Sequence, residues 1–311
     1  MDRLVCITGP TASGKTRLSV ELALAMDAEI VSFDSIQLYR RMDIGTAKPT
    51  PEERRGVPHH MLDVLEPWES CSVSRYAAQA DACVQDVLSR GKPVVLVGGT
   101  GLYIDALISG RSFAPCPQTG RREELTRLAD EQGIETLLER LRQVDPEAAQ
   151  TLHPSDRKRI IRALEVWLET GKTITQHNLE TQARPPRYRP VWLGLNFPDR
   201  QQLYGRIDRR AREMFEAGLA AEVQALLDSG VPASATAMQA IGYKETARAL
   251  RGEISMQQAL EQVQQSSRRY AKRQLTWFRR NEEIRWLDAS RPFEEVFSAA
   301  RQGISFFDSG I

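Results

Sequence analysis

Residues 9–16 read GPTASGKT, directly after the apolar run LVCIT at Leu4–Thr8. Gly9, a four-residue gap and then Gly14-Lys15-Thr16 is the spacing of a phosphate-cradling P-loop between a strand and a helix. Gly9 and Gly14 let the backbone turn tightly and approach an anion without a Cβ in the way. The loop N–H groups and the N-terminus of the following helix carry partial positive charge. Lys15 adds a full charge, and the Thr16 hydroxyl suits a Mg²⁺ ion that accompanies the phosphate. The stretch therefore predicts an α/β fold with a phosphate ligand. It leaves open whether that phosphate is transferred or merely leaves.

Short, β-branched apolar runs continue outward from it: Glu29–Phe33, Val94–Val97, Val191–Phe197 and Ile284–Leu287. Continuous runs of this kind are buried parallel strands. With helical patterns between them they predict a doubly wound, mostly parallel sheet, whose ligands bind at the carboxyl ends of the strands. The helix after the loop carries Leu18, Leu22, Ala25 and Met26 at helical spacing. The strand ends carry GPTASGKT, FDSIQLYR and GGTGLY.

Asp34 ends the strand EIVSF beside the loop. It is a candidate general base or metal-shell carboxylate, or simply a turn or N-cap aspartate. Thr100 in GGTGLY is a candidate N-cap that can also face a phosphate or leaving oxygen. VVLV runs into GGTG and not into an acid, which argues against motor-ATPase and GTPase chemistry. Kinase-like chemistry and chemistry in which a phosphate leaves both remain.

Pro115-Cys116-Pro117 and Arg184-Pro185-Pro186 bracket a stretch without strands. The reading is a P-loop core at 1–115 and 190–311 with a helical insertion domain at 116–189. Ser155 is the expected cap and Gly171 the expected end of the insertion's last clear helix. After the strand at 191–197 a helix is expected from Asp199 through RIDRRAREMFEAG. Another is expected from Ser255 to Glu283, opened by a Ser255/Gln258 capping box. Arg206 and Arg210 share a helix face, and a cation there can clamp a diphosphate opposite Lys15. The basic cluster Arg157, Lys158, Arg159 and Arg162, and the basic face at 268–280, suit RNA phosphates. Tyr270, Trp277 and Phe278 read mostly as core. His59, His60 and Asp63 in PHHMLD do not make a zinc site, because adjacent histidines face opposite ways.

The chain has 311 residues and a net charge of +1, so a nucleic-acid surface must be a local patch. Cys6, Cys71, Cys83 and Cys116 lack ligand-like spacing and read as free thiols of a reducing compartment. The opening MDRLVCIT is too short and too soon polar for a signal peptide. No apolar run reaches the ~18 residues of a membrane helix. A cytoplasmic monomer is expected.

GPTASGKT, DSIQLYRRMDIGTAKP (34–49), PHHMLD (58–63), VGGTGLY (97–103), DRKRIIRALE (156–165) and AIGYKE (240–245) follow one another in this order. Together they closely resemble the tRNA dimethylallyltransferase, or tRNA isopentenyltransferase, family, from residue 4 to about residue 288. The resemblance implies transfer of a dimethylallyl group from dimethylallyl diphosphate to N6 of the adenosine 3′ of the anticodon, in tRNAs reading codons that begin with U. The diphosphate is then released.

It implies that Gly9, Pro10, Thr11, Ala12, Ser13, Gly14, Lys15 and Thr16 hold the diphosphate, with Mg²⁺ at Thr16. It implies that Asp34 takes the N6 proton, that Thr100 bonds the bridging oxygen, and that Arg210 neutralises the leaving group. Asp34, Ser35, Ile36 and Gln37 would line the target adenine. Lys158, Arg159, Ile160, Ile161 and Arg162 would meet the tRNA, as would Gln239, Ala240, Ile241, Gly242, Tyr243 and Lys244. The tail after residue 288 carries no matching motif.

Overall fold

The computed structural model describes residues 3–110, 119–182 and 185–304. Pro115, Cys116, Pro117 and Arg184 lie outside them. The described chain divides into two compact units, one drawn from residues 3–108 and 188–304 and the other from residues 109–110, 119–182 and 185–187.

The first unit is built on a six-stranded sheet. Its strands are β1 (Leu4–Thr8), β2 (Glu29–Ser32), β3 (His59–His60), β4 (Val94–Val97), β5 (Val191–Asn196) and β6 (Arg285–Asp288). Their order is β3-β2-β4-β1-β5-β6, and every pairing is parallel. β1 is buried throughout because helices cover both faces of the sheet, as an unbroken apolar run demands. One face packs on a core that includes Leu4, Cys6, Phe33 and Tyr76. The other packs on Val5, Ile7, Leu18 and Leu22. Ala25 is exposed, and Ala23 completes the buried stripe of the helix Lys15–Met26.

β3 was not legible as a strand. Only two residues pair there, on the edge next to β2. His60 Nε2 lies 2.7 Å from Glu29 Oε2, and His59 Nδ1 lies 2.8 Å from Val57 O, so the two rings serve different partners. Bonds from Arg90, then from His60, hold the Glu29 carboxyl at about 2 against the opposing effect of burial.

The helix Arg200–Glu216 is capped by Asp199, which accepts from Gln201 N at 2.8 Å. The helix Met256–Phe278 opens with the Ser255/Gln258 capping box. It stops at Phe278, where a turn takes over, and does not reach Glu283.

The second unit packs the helices Arg121–Gln132, Ile134–Val144, Arg157–Thr170 and Ile174–Gln182 around Leu125, Leu137, Leu141, Ile160 and Leu164. Gly171 ends the third of these in the left-handed conformation. Ser155 does not cap it. His153 caps a short 3-10 turn at Pro154–Asp156, and the helix continues from that turn. Buried Glu165 is bonded by Arg122 and by Arg162.

Candidate functional site

Three strand ends meet at the carboxyl edge of the first unit. β1 runs into the loop 9–16, β4 into Gly98–Thr100, and β2 through Phe33 into Asp34. A cavity of about 350 Å³ opens between them. Residues Thr11 to Thr16 form one side, and Asp34, Gln37, Gly99, Arg206 and Arg210 face it. Gly9 and Pro10 are buried beneath, and Lys15 Nζ donates to their carbonyls at 3.0 and 2.7 Å. Burial, then the nearby Arg210 guanidinium, lowers Lys15 to about 7 against the opposing pull of Asp34. Burial also lowers Arg210. Ser13 Oγ and Arg210 Nε are buried without a partner among the described residues. Two cations crowded together beside unpaired donors form a cradle for an anion.

A second cavity of about 290 Å³ adjoins the first and shares Asp34, Thr46, Arg210 and Tyr270 with it. Its own walls carry Ile36, Ile207, Met214, Ala240, Ile241 and Val263. Ser35, Gln239, Ser267 and Arg273 line it too, so the cradle opens beside a chamber of mixed polar and apolar lining, and one carboxylate lines both.

Asp34 is both a turn aspartate and a site residue. Its Oδ1 accepts from Ile36 N at 2.9 Å and Gln37 N at 3.2 Å. Its Oδ2 has no hydrogen-bond partner among the described residues. Thr100 lines neither cavity directly. Its Oγ1 accepts from Ser35 N at 3.1 Å and donates to Ser35 Oγ at 3.4 Å. Arg206 Nε donates to Ala12 O at 2.9 Å, and Arg210 to Thr46 O at 3.3 Å, so their shared face does turn to the phosphate loop.

The motif DIGTAKP is a scaffold for this wall. Glu222 accepts from the backbone N–H of Asp43, Ile44 and Gly45 at 2.8, 2.8 and 3.2 Å, and from Tyr243 Oη at 2.5 Å. A Cβ on Gly45 would lie 2.4 Å from the Tyr243 ring. Lys48 is buried, and it bonds Tyr39 O, Asp43 and Asp63 at 2.8, 2.6 and 2.5 Å. Gln37 Nε2 donates to Thr46 O and Ala47 O. Three separate motifs, at 34–49, 58–63 and 240–245, thus close on one another.

GGTG is explained from the opposite side. Added Cβ atoms would lie 2.7 Å from Phe33 at Gly98, 2.0 Å from Gln274 Nε2 at Gly99 and 2.2 Å from the Trp277 ring at Gly101. Tyr270, Gln274 and Trp277 recur at the spacing of one face of the helix Met256–Phe278. Tyr270 is therefore a wall of both cavities and not core. Burial, then Asp34, pushes its phenol up to about 12, with Thr100 and Gln274 beside it. Sequence reasoning missed Gln274, Glu222 and the placement of Tyr270. The i, i+4, i+7 recurrence was the one available signal.

Among the residues expected to meet RNA, Ile160 and Ile161 are buried in the core of the second unit, so their side chains do not reach a partner there. Gly242 and Tyr243 are buried as well, while Gln239 and Lys244 are exposed. Gln239, Ala240 and Ile241 line the second cavity. Lys158 and Arg159 are exposed. Arg157 and Arg162 are already paired, with Asp130 and Glu165. Arg269, Lys272, Arg273, Arg279 and Arg280 form an exposed basic face.

A Mg²⁺ ion fits the cradle through few protein oxygens. Such ions keep several waters and take substrate phosphate oxygens beside one or two protein groups. Thr16 lines the cavity with Asp34, and no cluster of three or more His, Cys, Asp or Glu that could hold a metal exists among the described residues. Such a donor set would suit an ion brought in with a phosphate. No helix among the described residues is long and apolar enough to cross a membrane.

The sequence matches the family model described as IPP transferase over residues 37–281. It is 46% identical over 298 residues to the tRNA dimethylallyltransferase of Caldanaerobacter subterraneus subsp. tengcongensis, covering 94% of this chain and 95% of that one. It is 46% identical to tRNA dimethylallyltransferase 2 of Geotalea daltonii, covering 99% and 93%. Among solved structures, the tRNA isopentenylpyrophosphate transferase of Bacillus halodurans superposes with a TM-score of 0.72, at 38% identity and over 99% of both chains. A eukaryotic dimethylallyltransferase acting on tRNA superposes with a TM-score of 0.82, at 25% identity, over 98% of this chain and 78% of that one. The match spans the Asp34-linked scaffold, the GGTG loop, the helical second unit and the long helix that carries Tyr270 and Gln274, and on that extent the chain belongs to the IPP transferase family.

Proposed function

We propose that the protein transfers a dimethylallyl group from dimethylallyl diphosphate to N6 of the adenosine 3′ of the anticodon, in tRNAs reading codons that begin with U. The observation that carries this reading is Asp34, which lines both a phosphate cradle and an adjoining chamber of mixed polar and apolar lining. A diphosphate in the first cavity and an unstacked adenine entering by the second would meet at that carboxylate. The target base leaves its stack to reach it, as base-modifying enzymes require.

The chemistry follows from the chain's own groups. N6 attacks the allylic C1, the C1–O bond breaks, and diphosphate leaves. The N6 lone pair is delocalised into the ring, so proton removal by Asp34 raises its nucleophilicity as the new bond forms. Lys15 and Arg210 neutralise the charge growing on the leaving group. Thr100 is assigned the departing bridging oxygen, with Ser35 N–H holding its Oγ1. Thr16 would hold a Mg²⁺ ion that arrives with the donor's phosphates, and that ion would supply further charge neutralisation. Every group named here comes from one chain, so a monomer is sufficient, and a tRNA substrate fits a reaction in the cytoplasm.

The test offers Mg²⁺ and labelled dimethylallyl diphosphate with unmodified tRNA in one reaction and with AMP, ADP or ATP in another. Label in tRNA alone is expected. Label only in free nucleotide moves the activity to a nucleotide prenyltransferase, and label in neither returns the loop to a kinase role.

The exposed basic residues give a second expectation. Affinity for tRNA should fall with salt, because phosphate contacts release counterions. Lys158→Ala with Arg159→Ala should lower the slope of log K against log salt by about 2, leaving donor binding intact. These two are the clean pair, since Arg162→Ala also removes a partner of Glu165. An unchanged slope takes the second unit out of tRNA recognition by this face.

A further inference from the structure

We infer that Gln274 is a positioning residue for the transfer: its carboxamide holds the phosphate loop against the Gly98–Thr100 loop, and so sets where the diphosphate lies relative to Thr100. This rests on the allyl-transfer reading above.

Gln274 is 5% exposed and stands near the C-terminal end of the helix Met256–Phe278, four residues before Phe278. Its Oε1 accepts from Thr11 N at 2.9 Å. Its Nε2 donates to Gly99 O at 2.9 Å. One partner can only donate and the other can only accept, so an amide, with one group of each kind, fits in a single orientation. A carboxylate would set a second oxygen against the Gly99 carbonyl. An apolar side chain would leave a buried N–H and a buried C=O unpaired, each a penalty. The 2.0 Å clash that any Cβ at Gly99 would make with Nε2 shows how closely the loop is drawn onto this amide.

The bridge has two consequences. The Thr11 N–H is already taken, so the diphosphate is left with the N–H groups from Ala12 to Thr16. The two bridged loops also carry the two ends of the leaving group's environment. The first bears Lys15 and Thr16. The second bears Thr100, one residue past the bonded Gly99 carbonyl. A shift between them misplaces Thr100 relative to the breaking C–O bond without removing either set of contacts. Misplacement near 1 Å is enough to lower a rate by ~10²-fold.

The experiment compares the wild type, Gln274→Glu and Gln274→Met. Single-turnover transfer of label to tRNA is followed between about pH 5 and pH 8. Binding of inorganic diphosphate with Mg²⁺ is measured by calorimetry, and melting temperature by circular dichroism. At neutral pH both variants should turn over ~10- to 100-fold more slowly than the wild type, while diphosphate affinity changes less than ~3-fold. As pH falls, the ratio of Gln274→Glu to wild-type rate should rise. A protonated carboxyl again offers one acceptor and one donor, and burial brings its protonation into this range. Gln274→Met should show no such recovery. The inference is overturned by wild-type rates in both variants, by a pH-independent ratio for Gln274→Glu, or by loss of diphosphate affinity in step with rate. If Gln274→Glu melts far below the wild type, Gln274→Met decides by the split between rate and affinity. No labelling by the wild type overturns the allyl-transfer reading, and this inference with it.

Discussion

Asp34→Asn is expected to lower the single-turnover rate of transfer to tRNA by ~10²- to 10⁴-fold, the range that positioned acid–base catalysis supplies. The choice of asparagine matters. Asp34 Oδ1 accepts from Ile36 N and Gln37 N, so alanine would remove the turn's acceptor along with the base. Asparagine keeps an oxygen for those two donors and removes only the basic Oδ2. The Ile36 wall of the second cavity then stays in place, and tRNA affinity should remain within ~3-fold of the wild type, because phosphate contacts carry most of it. Asp34→Ala should add a loss of affinity for the target loop. A rate within ~10-fold of the wild type in Asp34→Asn would remove Asp34 from the base role. The carboxylate would then serve only to shape the turn and balance the charge of Lys15 and Arg210.

This double duty shows how far the sequence could be read. The spacing of GPTASGKT and the continuous β-branched runs carry their own physics, so the sheet and the loop that lines the first cavity were legible from local patterns. β3 was not, since two residues of edge pairing leave no periodicity to detect. The Ser255/Gln258 box held because both partners lie within one turn. Ser155 failed because His153, two residues earlier, opens a 3-10 turn first. The limits of GGTG and DIGTAKP were of another kind. Nothing near Gly99 or Gly45 tells what crowds them. The crowding comes from Gln274 and Tyr243, far along the chain, and only the folded sheet brings them close. Tyr270 looked like core because aromatics on an amphipathic helix usually are. Its place beside Asp34 depends on where the helix crosses the strand ends, a tertiary fact. The same reason hid the burial of Ile160 and Ile161, which sit between two arginines in the sequence and inside a helical core in space.

Lys15 supplies the second large effect, and its sign can be worked through. In the free protein its pKa is lowered to about 7 by burial and by Arg210. In the unfolded chain it stays near its ordinary value of 10.5. Between these values the unfolded chain binds the extra proton, so this group's contribution makes the free protein more stable as pH rises through that window and less stable as pH falls through it. Ligand binding runs the opposite way. A diphosphate beside Nζ favours the charged amine and raises its pKa. Above about pH 7, binding must therefore take up a proton, and donor affinity should weaken by up to ~10-fold per pH unit until the bound-state pKa is reached. Calorimetry near pH 8 in two buffers of different ionisation enthalpy should report uptake approaching one proton for the wild type. Lys15→Ala should reduce that uptake close to zero. It should also weaken donor binding by ~10- to 10²-fold, the worth of a charge-assisted hydrogen bond. Equal proton uptake in wild type and Lys15→Ala would mean that the ligand's own phosphates titrate and that Lys15 is charged before the donor arrives. The crowding of Lys15, Arg210 and unpaired Ser13 Oγ would then be neutralised by the surrounding field of Asp34 alone, and the cradle would bind diphosphate without a linked proton.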